Sequence, residues 1–177
     1  MNTSQLTDNQ RKFLSSAKEV AKQMGKNGRS LTGVIGELSA CEKLGLKWEP
    51  TDGYDATYKT KEYQIKTRKN WTDTNKKKSW WQDNKVDPNG RINRFEGKGN
   101  YNFHVGLYVE LDDDFEVWGI WQCERSTLMG LEHGTTLGLK VGKISRKGGA
   151  GKLIYSRPHY LSASREVMKT AGASENY

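Results

Sequence analysis

The sequence is poor in the residues that build disulfides, metal clusters and membrane spans. Its 177 residues include only two cysteines and three histidines. Cys41 and Cys123 form neither a CxxC pair nor a zinc spacing, so we expect two reduced, buried thiols. No apolar run approaches the roughly 20 residues of a transmembrane helix, and the first residues lack the apolar core of a signal peptide. We therefore expect a cytoplasmic protein without a membrane partner.

Familiar catalytic motifs are missing as well. The chain contains no GxSxG nucleophile motif, and its scattered histidines argue against a zinc enzyme. The glycine-rich run SRKGGAGK, residues 145–152, does not match GxxxxGK[ST], which argues against a nucleotide-binding loop.

The chain is strongly basic, with 29 lysines and arginines, 21 acids and a net charge of +8. This excess favours a polyanionic partner, either nucleic acid or an anionic membrane surface, although an ordinary basic protein is the simpler alternative. The excess is largest in two segments. Residues 59–98 hold twelve basic residues against five acids, and residues 140–157 hold six and no acid.

These basic segments are the candidate DNA-binding surface. Cations can contact phosphates, and the interleaved Trp71, Trp80, Trp81 and Phe95 can stack on bases or enter a groove. The alternative is a solvated loop whose tryptophans pack on the domain. The candidate contacts are Arg68, Lys69, Lys76, Lys77, Lys78, Trp80, Trp81, Arg91, Arg94, Lys143, Arg146, Lys147 and Lys152.

Apolar periodicity predicts two helices first and strands after them. The first helix spans residues 7–24, with Thr7 or Asp8 as its cap, and a polar loop follows over residues 26–29. The second helix spans residues 30–44, between a Ser30 cap and a Gly45 stop. Its glycines, Gly33 and Gly36, predict close approach to a sheet or another backbone.

The rest of the chain predicts mainly strands. Residues 54–60 and 62–68 form a hairpin, and a basic aromatic insertion occupies about 70–100. Residues 103–111 and 115–124 form two central strands joined by an acidic turn. Short helices are expected at 126–131 and 162–170, and a basic Gly-rich segment covers 140–157. The fold class is a single α/β (α+β) domain with a mixed central sheet flanked by helices.

Polar side chains converge on the predicted hairpin. Glu62, Gln64 and Lys66 share one face of their strand because side chains alternate along a strand. Asp55, on the neighbouring strand, lies near the end that carries Gln64 and Lys66 if the two strands pair. Taken singly, each residue has an ordinary reading, a turn acid or a solvated strand face.

Glu37 is the second candidate acid. A helical wheel places it inside the apolar arc of the second helix, where a carboxylate needs a partner. Glu42 falls in the same arc, but it lies near the helix end and can reach solvent, which favours Glu37. A pairing of Glu37 with Arg29 or a lysine is the structural alternative.

Together these groups predict a metal site. Glu37, Asp55 and the Ile65 carbonyl offer the oxygen ligands that Mg²⁺ requires, with Mn²⁺ as a substitute. Lys66 can stabilise the charge that builds on a phosphorane. Such a site suits hydrolysis of a phosphodiester.

Three stretches carry a family resemblance: GELSACEKLG at 36–45, GYDA at 53–56 and QIK at 64–66. In this order they resemble the PD-(D/E)xK nuclease superfamily, and the resemblance implies a restriction-endonuclease-like fold. It gives Glu37 the helix position, Asp55 the first acid, Gln64 the position of the second acid and Lys66 the lysine. A Gln-bearing variant of the motif is known in the superfamily.

The chain departs from the superfamily pattern at two positions. Tyr54 stands where a proline usually precedes the first acid, and Gln64 replaces the second acid. The missing charge can come from Glu37 or from Glu62, which shares the face of Gln64.

The resemblance implies a Mg²⁺-dependent endonuclease that cuts double-stranded DNA and leaves a 5′-phosphate. One site per chain implies a homodimer or a higher homo-oligomer for cutting both strands. Restriction or homing is the expected role, with repair or junction cleavage as an alternative. The main rival is a catalytically inactive nucleic-acid-binding module of the same fold, which the absent second acid favours. A small-molecule or protein-binding domain with an incidental basic surface is a third possibility.

Overall fold

The computed structural model describes residues 4–69, 90–96, 100–134, 138–145 and 148–157. Eight strands form a six-stranded mixed sheet in the order β1-β2-β3-β5-β6-β8 and a small sheet of β4 and β7. Their bounds are β1 Lys47–Trp48, β2 Ala56–Tyr58, β3 Lys61–Lys69, β4 Arg91–Ile92, β5 Val105–Leu111, β6 Val117–Glu124, β7 Leu139–Lys140 and β8 Lys152–Ser156. The predicted fold class, a mixed sheet flanked by helices, is confirmed.

The pairing of the strands agrees with the sequence pattern. β2 and β3 form the predicted hairpin, and β3 pairs in parallel with β5. β5 lies between β3 and β6, and every one of its residues is buried, as expected for a central strand. The acidic turn that joins β5 to β6 is also where it was predicted.

The helices begin and end close to the predicted residues. Helix α1, Asp8–Gln23, is capped by Thr7, which exchanges hydrogen bonds with Gln10 in a capping box. Helix α2, Thr32–Leu44, ends at Gly45 in the left-handed region at φ 69°. The predicted loop at 26–29 and the Ser30 cap are wrong, because a 3₁₀ helix, Gly25–Leu31, runs directly into α2.

The buried face of α1 is narrow. Leu14, Ala17 and Ala21 are buried. The side chains that stay exposed are Phe13 at 49%, Val20 at 46% and Met24 at 40%. The described residues bury only the stripe of α1 that faces the rest of the fold.

Two cores lie on opposite faces of the large sheet. Helices α1 and α2 pack on one face against Leu107, Val109 and their neighbours in β3, β5 and β6. Helices α3, Arg125–Glu132, and α4, Gly142–Ser145, cover the other face with the small sheet. None of the described helices is long and apolar enough to cross a membrane.

The described part of the predicted basic insertion is packed against this second core. Ile92 and Phe95 are buried there, so a base-stacking role for Phe95 is ruled out by its position. Glu132 of α3 holds the segment: its carboxylate accepts from Phe95 N at 2.6 Å, Glu96 N at 3.3 Å and the Tyr101 hydroxyl at 2.7 Å. This part of the chain is therefore a structural element of the fold.

The remaining predictions are either confirmed or concern residues outside the described ranges. The short helix at 126–131 is α3, and Cys41 and Cys123 are both free and buried, as expected. The predicted helix at 162–170 and Trp71 lie outside the described residues.

Candidate active site

Asp55 lies directly beside Gln64 at the open end of the hairpin. Ala56 pairs with Tyr63, and Asp55 N donates to the Tyr63 carbonyl at 2.9 Å. The same register places Asp55 opposite Gln64, and the Gln64 amide donates to Asp55 Oδ2 at 2.6 Å. The expected neighbourhood of these two side chains is therefore present in the structure.

Beyond this point the edge of β3 is open on the side of β2. Along β3, β2 pairs only with Lys61, Glu62 and Tyr63. No described strand continues along that edge of β3. Ile65 N instead donates to Asp55 Oδ2 at 2.6 Å. Because the N–H and C=O of one strand residue point to the same side, the Ile65 carbonyl also faces this edge.

The surroundings of Asp55 in the folded protein disfavour its ionised form. Burial is the largest cause that raises the pKa of Asp55, from 3.8 to about 6, and the nearby Glu37 carboxylate raises it further. The hydrogen bond from Ile65 N and the charge of Lys66 act in the opposite direction. Asp55 therefore lies close enough to Glu37 and to Lys66 for both charges to act on it.

Glu37 reaches this place because α2 packs tightly on β3. A side chain at Gly36 would collide with Thr67, so the glycine allows the close approach predicted for it. Gly33, by contrast, is exposed and meets only the Glu37 carboxylate, whose Oε1 is 4.0 Å from where a Cβ would stand.

Trp48 is the partner of Glu37 that sequence reasoning missed. Its indole Nε1 donates to Glu37 Oε2 at 3.1 Å, in place of the pairing with Arg29 or a lysine considered above. A partly buried tryptophan needs an acceptor for its N–H, which is the sequence signal that was available.

The Cys41 thiol lies next to the two carboxylates. Burial is the main cause that raises its pKa to about 12, and Glu37 and Asp55 raise it further. At neutral pH the group is an uncharged thiol, which fits a packing role rather than that of a nucleophile.

Glu62 is engaged elsewhere. Its Oε2 lies 3.0 Å from His104 Nδ1, and the His104 N–H donates to the Glu62 carbonyl at 2.9 Å. Both residues line a separate cleft of about 450 Å³ with Tyr54, Tyr101 and Arg125 among its walls. Glu37 and Glu62 were the two acids that could supply the charge missing at Gln64. Of these two, Glu37 is the one whose charge raises the pKa of Asp55.

The carboxylate oxygens of Asp55 and Glu37 are of the ligand type that a hard divalent cation binds. Asp55 Oδ2 and Glu37 Oε2 are held by hydrogen bonds, whereas Asp55 Oδ1 and Glu37 Oε1 make none with described residues. Among the described residues no group of three or more His, Cys, Asp or Glu side chains could hold a metal. Mg²⁺ does not require one, since it is commonly bound by one or two carboxylates together with waters and substrate phosphates.

Two predicted DNA contacts, Arg68 and Lys69, lie at the end of β3. The Arg68 guanidinium donates to the Arg91 carbonyl at 3.1 Å. Lys69 is only 8% exposed, its ammonium lies 4.0 Å from the centre of the Phe115 ring, and burial lowers its pKa. Its position corrects the prediction that Lys69 is a surface contact for DNA.

The other predicted contacts differ in availability. Arg94 forms ion pairs with Glu96 and Glu132, so it serves the fold. Arg91 is exposed and donates to the Gly138 carbonyl at 2.8 Å, and Lys143 and Lys152 are exposed. The predicted contacts that lie outside the described residues are Lys76, Lys77, Lys78, Trp80, Trp81, Arg146 and Lys147.

Relatives add nothing to this description. No protein-family model matches the chain, and no curated protein is significantly similar to it. The chemistry of the site must therefore be inferred from its own residues and contacts.

Proposed function

We propose that the protein is a metal-dependent DNA endonuclease of the PD-(D/E)xK type with a restriction-endonuclease-like fold. The observation that carries the proposal is the position of Asp55 at the open edge of β3, where the charges of Glu37 and Lys66 act on it and its pKa is raised to about 6. A partly buried acid with a second acid and a lysine near it is a charge pattern that supports a cation and phosphate site.

Each residue of the site has a role in this proposal. Glu37 Oε1, Asp55 Oδ1 and the Ile65 carbonyl would hold the cation, Mg²⁺ or Mn²⁺, and a bound cation would supply polarisation of the phosphate and a lowered pKa of an attacking water. Gln64 and Ile65 N orient Asp55 through the two hydrogen bonds to Oδ2. The Lys66 ammonium, which makes no hydrogen bond or ion pair with a described residue, stabilises the negative charge of the transition state.

Double-stranded DNA is the proposed substrate, and the products carry a 5′-phosphate. The net charge of +8 supports a polyanionic substrate. One site per chain cuts one strand, so cutting both strands requires a homodimer or a higher homo-oligomer. A restriction or homing role suits such an enzyme, and repair or junction cleavage is the alternative role.

Plasmid nicking tests the proposal. Purified protein should nick supercoiled DNA with Mg²⁺ or Mn²⁺ and not with EDTA. Lys66→Ala should lower the rate roughly 10²–10³-fold, the usual loss for one stabilising group. Asp55→Asn and Glu37→Gln should lower it as well, because each removes a charged ligand.

Glu62→Gln is the matched control. Glu62 lies on β3 with Gln64 and Lys66, but its carboxylate is paired with His104. It should cut at close to the wild-type rate. Equal cutting by wild type and Lys66→Ala, or cutting that persists in EDTA, would contradict the proposal.

A binding module without cleavage is the second candidate function. The observation that favours it is the short hydrogen bond from the Gln64 amide to Asp55, which puts a neutral donor where the superfamily pattern has a second acid. A protein that binds duplex DNA but nicks none with either cation would establish this alternative. In that case Asp55→Asn should leave DNA affinity unchanged.

A further inference from the structure

A cleft of about 450 Å³ opens beside the candidate active site, at the start of β3. It is lined by residues 51–54, Glu62, residues 101–104 and Arg125 of α3. Small-molecule sites occupy about 300–1,000 Å³, so the cleft has room for a group of the size of one nucleotide.

The loop at 51–54 is held by the side chain of Thr51. Its hydroxyl accepts hydrogen bonds from Gly53 N at 3.2 Å and from Tyr54 N at 3.1 Å. Gly53 packs on the opposite wall, because a side chain at this position would collide with the Cβ of Asn102. The two walls are therefore fixed relative to each other, and the shape of the cleft is built into the fold.

Two aromatic side chains, Tyr54 and Tyr101, are half-buried in these walls. The Tyr101 hydroxyl donates to Glu132 at 2.7 Å, and its ring centre lies 5.9 Å from that of Phe103. The Tyr54 hydroxyl makes no hydrogen bond with a described residue. Rings that are already held by the fold lose little conformational entropy when a flat ligand stacks on them.

Asn102 and Arg125 are two polar side chains of the cleft that are available to a ligand. Both are exposed, and neither side chain makes a hydrogen bond or ion pair with a described residue. Their neighbours include the carboxylates of Asp52 and of Glu62, which is paired with His104. Because these acids disfavour an anion, the cleft suits a neutral group that carries donors and acceptors.

An unstacked nucleobase is a neutral, flat group of this kind. Proteins hold bases outside a helix by stacking them on aromatic rings or Arg planes and by hydrogen bonds to their edges. Asn and Arg side chains are among those that match the hydrogen-bonding groups of base edges. Tyr54, Tyr101, Asn102 and Arg125 bring these features together in one cleft.

The cleft and the candidate active site are neighbours along the chain and along β3. Tyr54 directly precedes Asp55, and Glu62 lies two residues before Gln64 on the same face of β3, about 7 Å at 3.3 Å per residue. Stacked nucleotides of one strand are about 3.4 Å apart, so the cleft lies about two nucleotides from the candidate active site. A base can enter it only after leaving the stack of the duplex.

We propose that this cleft binds one unstacked base of the cut strand, about two nucleotides from the scissile phosphate. The assignment rests on the proposed nuclease function, because that function places the scissile phosphate at Asp55 and Lys66. It names the preferred substrate more closely, as DNA that carries an unpaired base near the cut. An unpaired base enters the cleft most easily, since no base pair has to be broken.

The test is binding in EDTA, where no metal-dependent cleavage occurs, to a matched pair of fluorescent 20-base-pair duplexes. Each duplex has one extra nucleotide bulged from the centre of one strand, which carries a base in the first duplex and is abasic in the second. The two duplexes share their backbone charge and their flexible point, so the ratio of their affinities measures the base alone. With the best of the four bases, wild type should bind the first duplex about tenfold more tightly, as expected for one stacked base.

Variants of the walls assign this ratio to the cleft. Tyr54→Leu should lower the ratio to about 2, whereas Tyr54→Phe, which keeps the ring, should retain it. Asn102→Ala keeps the Cβ that packs against Gly53 and should lower the ratio about fivefold, because one hydrogen bond to the base is lost. A purely structural defect would weaken binding of both duplexes equally and leave the ratio unchanged. Lys12→Ala, at an exposed position of α1 outside the cleft, is the control and should also leave the ratio unchanged.

The outcomes separate this proposal from the nuclease itself. A ratio near 1 in the wild type overturns the base-binding cleft even if the wild type nicks plasmid. A ratio near ten in a protein that never nicks supports the cleft and contradicts the nuclease. If Tyr54→Leu and Asn102→Ala both leave a ratio near ten unchanged, the base is bound elsewhere and the assignment to this cleft is wrong.

Discussion

Two carboxylates, the fully buried Glu132 and the partly buried Asp55, differ in how completely the fold matches their charge. Glu132 is fully buried, both of its oxygens accept hydrogen bonds, and Arg94 lies 3.9 Å away. Asp55 receives both of its hydrogen bonds on one oxygen, and its neighbours include a second acid. One acid is compensated by the fold, whereas the other is left partly uncompensated.

This difference indicates which acids are candidates for a functional role. A buried acid whose oxygens all accept hydrogen bonds stabilises the folded state, because its charge is already matched. A partly buried acid that has an oxygen without a hydrogen bond and a raised pKa destabilises the folded state unless something binds to it. Isosteric amides at the two positions should therefore change stability in opposite directions.

Glu132→Gln has the largest expected effect. The amide replaces one accepting oxygen by a donor that faces backbone N–H groups or the Tyr101 hydroxyl, and it removes the charge near Arg94. The free energy of unfolding should fall by about 4 kcal/mol, measured by urea denaturation. A loss below about 1 kcal/mol would mean that the contacts of Glu132 do not hold Phe95, Glu96 and Tyr101 to α3.

Asp55→Asn should have the opposite sign. The native pKa of Asp55, about 6, lies above its ordinary 3.8, so the native state binds more protons between these values. The contribution of Asp55 to stability therefore falls as pH rises from about 4 through 6, by about 3 kcal/mol at 1.36 kcal/mol per pH unit. Asn carries no charge, and Asp55→Asn should be about that much more stable than wild type at pH 8.

Denaturation at two pH values checks this prediction. At pH 4 the two proteins should be nearly equally stable, because Asp55 is then protonated in the wild type. A variant that is less stable than wild type at pH 8 would show that the Asp55 charge is matched by the fold, as that of Glu132 is.

Trp48→Phe has the smallest effect and sharpens the comparison. It removes the indole N–H that donates to Glu37 and keeps an aromatic ring, so the free energy of unfolding should fall by about 1 kcal/mol. Nicking should slow, since Glu37 loses the contact that orients it. Calorimetry and the plasmid assay measure the two effects, and unchanged nicking would mean that Trp48 does not position Glu37.

Local signals predicted most of the fold. Thr7 caps α1 and Gly45 ends α2, because capping and left-handed φ depend on residues adjacent in sequence. Features that depend on distant packing were not predictable in this way. The 3₁₀ helix before α2 is one example, and the burial of Phe95 under Glu132, 37 residues away, is another.

The candidate site was predictable to a similar depth. Strand alternation and the hairpin placed Asp55 beside Gln64 and Lys66. Periodicity placed Glu37 on the inner side of α2, but it could not predict Trp48 as its partner. That contact depends on how β1 packs against α2. The sequence also could not decide between Glu37 and Glu62, since the partner of Glu62 is His104, which lies 42 residues away, just before β5.

Binding of Mn²⁺ tests most directly the central claim that Glu37 and Asp55 form a cation site. Electron paramagnetic resonance of free Mn²⁺ measures how much of the ion the protein removes from solution. We predict binding by wild type and by Glu62→Gln, and strongly weakened binding by Glu37→Gln and Asp55→Asn. Equal binding by all four proteins, or a loss confined to Glu62→Gln, would contradict the account.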